Sequence, residues 1–83
     1  MRVAAVTRAH LRAALVGALR GAVVGVAAAE HLAAHAERDA AETAHMNAAG
    51  YRPRQEAMAR LTAARGRVVR ADEALARALA WGW

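Results

Sequence analysis

The sequence predicts an all-α protein: an antiparallel helical hairpin with a long N-terminal helix, assembling into a larger oligomer. Three observations carry this reading. Residues 3–48 hold no proline and no strand-period alternation, and their only glycines are Gly17, Gly21 and Gly25. Asn47-Ala48-Ala49-Gly50 then offers a helix stop, and Pro53 follows where a new helix tolerates it. Leu61, Val68 and Leu75 recur every seven residues, the spacing of a helix packed along a seam.

The elements follow in order within one domain, residues 1–83. Helix 1 covers about residues 3–48. At about 1.5 Å per residue it is roughly 70 Å long, either straight or bent near Gly21–Gly25. The loop is 49–52, with Gly50 at the left-handed position that closes helix 1. So short a connection forces the helices antiparallel. Helix 2 covers about residues 53–81, weakened and open to a kink at Gly66. On it, Ala64, Ala71 and Ala78 fill the seam positions between Leu61, Val68 and Leu75. Helix 1 answers with Ala33, Ala36, Ala40 and Ala44, and alanine against alanine permits a close approach. Tyr51, Trp81 and Trp83 read as packing anchors at the hairpin ends.

The two helices are unequal. Helix 2 reaches back only to the level of residues 20–25, so residues 1–20 either project or fold back as a third helix. This front part is apolar nearly all round. Leu11, Leu15, Leu19 and Val26 line one side, and Gly17, Gly21 and Gly25 stack on another. An interior glycine costs a helix about 1 kcal/mol relative to alanine. Three on one stripe, extended by Ala13, Ala14, Ala28 and Ala29, point to a groove that admits a second backbone. A helix apolar on every side is buried in protein or lipid. Composition agrees: 27 of 83 residues are alanine, with no Phe or Ile to build a large core. Stability is therefore expected from association, with other copies of the chain as first partners.

Charge adds a second partner class. All twelve basic residues are arginine, and the net charge is +5. Residues 1–29 carry Arg2, Arg8, Arg12 and Arg20 and no acid. A basic balance favours DNA, RNA or an anionic membrane surface. Arg8, Arg12, Arg20, Arg52, Arg54, Arg65 and Arg67 lack an obvious local acid and are the candidates for phosphate contact. Arg60, Arg70 and Arg77 have Glu56 or Glu73 at helical spacing and read as surface pairs. No aromatics interleave with the arginines, so contact through phosphates, blind to base sequence, is expected rather than base stacking.

Other chemistries have little support. There is no Ser or Cys, and Thr7, Thr43 and Thr62 sit in no recognisable base-and-orienter setting, so an enzyme is not expected. His31, His35 and Asp39 share a helix face at metal-ligand spacing, and Glu42-Thr43-Ala44-His45 has the spacing of di-iron bundles. Helix 2 offers only Glu56, Asp72 and Glu73 to complete a di-iron set. That face is read as a polar outer or inter-subunit surface, and no cofactor is expected. Residues 13–29 resemble a short membrane span, but Arg20 near the centre costs about 2.5 kcal/mol or more. The acid-free front also resembles a targeting segment, although no small-residue cleavage site follows a clean apolar core.

In size, two-helix layout, small-residue packing and basic charge, the chain resembles short helical-hairpin coat proteins of rod-shaped or filamentous viruses. The resemblance implies a virion or extracellular filament, with many copies wound on a genome and arginines on its phosphates. The alternatives are a membrane-associated pilin-like or holin-like oligomer, and a metal-binding helical bundle.

Overall fold

The structure, a computed structural model, describes residues 2–81, and the side chains of residues 7–81. Trp83 lies outside the described residues. The fold is an all-α hairpin of two helices, α1 (Arg2–Asn47) and α2 (Tyr51–Ala80). No strand occurs among the described residues. The molecule is a rod, 75 × 15 × 12 Å.

Helix α1 passes through Gly21–Gly25 as one continuous α-helix, and α2 through Gly66 likewise. With no proline inside α1 and alanine, the best helix former, on all sides, nothing in this sequence interrupts the backbone ladder. The connection is three residues, and it is built differently from expectation. Gly50 has φ 93° and ψ 162°, so its φ is positive but its ψ is extended. That region is essentially restricted to glycine. Gly50 is the N-cap of α2 rather than the left-handed cap of α1, and α2 starts at Tyr51, two residues before Pro53. Proline is tolerated there because the first-turn N–H groups have no partner inside the helix. The Arg54 N–H is the first to donate, to the Gly50 carbonyl at 3.2 Å. The Arg54 guanidinium also donates through Nε to the Ala48 carbonyl at 3.3 Å, tying off the end of α1.

The seam on α2 matches the heptad. Leu61, Ala64, Val68, Ala71 and Ala78 are buried, and Leu75 is half-buried. The seam on α1 does not. Ala33, Ala36 and Ala40 are exposed and Ala44 is half-buried, whereas Ala34 and Ala41 are fully buried. The packed face is rotated by one residue, about 100° around the helix axis. Ala34 packs with Val68 and Ala71, and Ala41 packs with Leu61 and Ala64. Alanines on every side of α1 make the faces equal in apolar character, so the flanking charges select between them. In the observed register Glu30 and Glu37 of α1 meet Arg67 and Arg60 of α2.

This core is thin. Five of its seven buried residues are alanine. Leu61 and Val68 contribute the larger burials, about 1.5–3 kcal/mol each. The aromatic anchors do not add to it, for Tyr51 and Trp81 are both exposed. Helix α2 ends beside Val23 and Val26, and α1 continues alone beyond it. The front of the chain therefore projects and does not fold back.

Candidate functional site

The projecting arm is the first candidate. Every residue from Thr7 to Leu19 is exposed, and α2 covers none of this stretch. Leu11 is 66% exposed and Leu15 61%, and Val26, at the foot of the arm, is 73% exposed. Contiguous apolar surface of this kind makes the arm a candidate interaction face. A Cβ placed at Gly17, Gly21 or Gly25 would meet nothing within 4 Å, so among the described residues no other part of the chain packs on this stripe. Arg8, Arg12 and Arg20 line a groove on the same arm with Ala9, Ala13, Val16 and Gly17. Leu11, Leu15 and Leu19 thus occupy one sector of the helix and Gly17, Gly21 and Gly25 another, with Arg8 and Arg12 beside the leucines.

The predicted phosphate contacts divide. Arg8, Arg12, Arg52 and Arg65 are exposed, and no acid is paired with them among the described residues. Arg54 is occupied with the turn. Arg67 is not available: its Nε and Nη2 donate to the two Glu30 oxygens at 2.7 and 3.0 Å, a bidentate pair across the seam. Arg60 makes the same contact with Glu37, at 2.9 and 3.3 Å, instead of pairing with Glu56 on its own helix. Each arginine holds its glutamate below the ordinary carboxylate range through these hydrogen bonds, and each glutamate raises its arginine in turn. Glu73 forms no ion pair with Arg70 or Arg77 among the described residues. One sequence signal pointed to the crossed pairs. Two acids seven apart on one helix face two arginines seven apart on the next, as flanking positions of a coiled seam do.

On the opposite flank the histidines converge on a residue that sequence spacing did not select. His31 donates through Nδ1 to Asp72 Oδ1 at 2.7 Å, and His35 through Nε2 to the same oxygen at 3.0 Å. The rings lie 4.3 Å apart and tilted by 49°. These hydrogen bonds, that of His35 above all, hold the Asp72 carboxyl below its ordinary range. All three side chains are partly exposed. Asp39, which shares metal-ligand spacing with the two histidines, instead accepts from Arg38 at 3.1 and 3.3 Å. The spacing within α1 therefore found two members of the cluster. The third comes from α2, and only the register between helices reveals it.

No protein-family model, curated protein or solved structure gives a significant match to this chain.

Proposed function

We propose that this chain is a self-assembling structural subunit, a coat or filament protein whose copies pack through the projecting arm. The observation that carries the proposal is the run of consecutive exposed residues from Thr7 to Leu19, apolar on two sectors, beyond a hairpin with a thin core. Leaving large leucines in water forgoes about 1.5–3 kcal/mol each, which burial against neighbours recovers. The glycine stripe lets a neighbouring helix approach closely. Arg8 and Arg12 beside the leucines, Arg20 further round the arm, and Arg52 and Arg65 on α2 give the assembly basic surface for the phosphates of DNA or RNA. This is the arrangement expected of a helical-hairpin coat protein.

The test is to purify the full chain in detergent-free buffer, then examine it by sedimentation velocity and negative-stain microscopy. Regular particles or filaments, holding nucleic acid that salt releases, are the expected result. A well-dispersed monomer overturns the proposal.

A membrane-associated oligomer is the second reading, favoured by one observation. Helix α1, over Thr7–Asn47, includes a window long and apolar enough to cross a bilayer, with mean hydropathy 1.6. Arg20 within residues 13–29 opposes it. Recovery of the chain only in detergent selects this reading over the first.

A further inference from the structure

We propose that His31, His35 and Asp72 form a three-ligand site for one divalent d-block cation, zinc foremost, clipping α1 to α2. Their ligand atoms all lie within 4.8 Å of one another. Two imidazole nitrogens and a carboxylate oxygen are the donor set that suits zinc, copper or nickel, while magnesium and calcium prefer oxygen alone. Zinc bonds nitrogen and oxygen at about 2.1 Å, so tetrahedral ligands stand about 3.4 Å apart. The Nδ1–Oδ1 and Nε2–Oδ1 separations are 2.7 and 3.0 Å, so they open by roughly half an ångström to admit the ion. Its bonds would replace the two hydrogen bonds that now meet on a single oxygen. Partial exposure of all three side chains leaves the remaining coordination positions to water, the pattern of an open zinc site.

The ligands span both helices, separated by 37 and 41 residues in sequence. The chelate therefore exists only in the folded hairpin, and binding must stabilise that hairpin. This distinguishes the site from a histidine pair on one helix, which needs no partner helix. It stands independently of the assembly proposal, since every ligand comes from one chain.

The experiment uses the full chain, stripped with chelator and titrated with zinc chloride by calorimetry, with thermal unfolding followed by circular dichroism. One zinc per chain is expected, with a rise in melting temperature that magnesium chloride does not reproduce. His31→Ala, His35→Ala and Asp72→Asn should each weaken binding by about tenfold or more, while Asp39→Asn leaves it unchanged. Wild-type affinity in Asp72→Asn, or its loss in Asp39→Asn, overturns the proposal, as does an absence of zinc binding. Should a variant lose its helicity, the wild-type chain decides by NMR. Zinc must shift the ring signals of His31 and His35 and leave those of His10 and His45 in place. The reverse pattern refutes the site.

Discussion

Replacing Gly21 with leucine should push the lone chain and its assembly in opposite directions. A side chain at position 21 meets nothing within 4 Å inside the molecule, so the hairpin accepts it without a clash. The substitution also removes an interior glycine, worth about 0.8 kcal/mol to the helix. The free chain should therefore be slightly more helical and melt slightly higher. In the assembly, leucine would occupy space reserved for a neighbour's backbone. Overpacking of a close contact costs typically about 1–3 kcal/mol. At about 1.4 kcal/mol per factor of ten, each contact weakens roughly five- to hundredfold. Since every copy carries the change, the concentration needed for assembly should rise at least that much. Circular dichroism reads the first effect, and sedimentation with electron microscopy reads the second. Gly21→Ala should fall between. Particles that form at the wild-type concentration would remove the stripe from the interface.

Further outcomes are expected for the core, the turn and the charges. Leu61→Ala empties the largest buried side chain and should cost about 2–5 kcal/mol in chemical denaturation, much of the stability of so small a core. Gly50→Ala meets only ordinary contact with Pro53 at 3.7 Å, so its expected cost of about 1–3 kcal/mol is conformational and should appear in the same assay. Glu30, Glu37 and Asp72 all have folded values below their ordinary ones, so their contribution is complete above the ordinary carboxylate range. It is lost as pH falls through the lower folded values; melting temperatures that stay flat through acid would contradict the three pairs. Neutralising Arg8, Arg12 and Arg20 to glutamine should flatten the salt dependence of nucleic-acid retention, by up to about 0.7–0.9 in log–log slope for each phosphate no longer neutralised. Arg60→Gln with Arg67→Gln should leave that slope unchanged and loosen the hairpin instead.

How legible each element was depends on side-chain contrast. On α2, Leu61, Val68 and Leu75 stand out against alanine and arginine, and the heptad located the buried face directly. On α1, Ala33, Ala34, Ala40 and Ala41 are chemically identical, so apolar periodicity cannot rank the faces. The deciding information lay in Glu30 and Glu37, which must sit beside the seam to reach Arg67 and Arg60. The same one-residue uncertainty hid the histidine–aspartate cluster. His31 and His35 are visible as neighbours one turn apart, whereas Asp72 joins them only once the register is set. The charge on Arg67 was equally visible, and its engagement across the seam was not. Counting residues on either side of the turn left the front of the chain either to project or to fold back as a third helix, and the unbroken run of α1 makes it project.

The lone stretch from Thr7 to Leu19 carries one more implication, for timing. Thirteen residues of helix with no tertiary support sit near the limit at which an isolated helix persists in water. Amide protons there should exchange far faster than those around Leu61 and Val68, where opening requires the hairpin to part. A neighbour that docks on this stretch also steadies its backbone, and the next neighbour then meets a surface already in order. Growth from such ends is easier than starting anew, so a solution of this chain should show a lag, a threshold and seeding by preformed fragments.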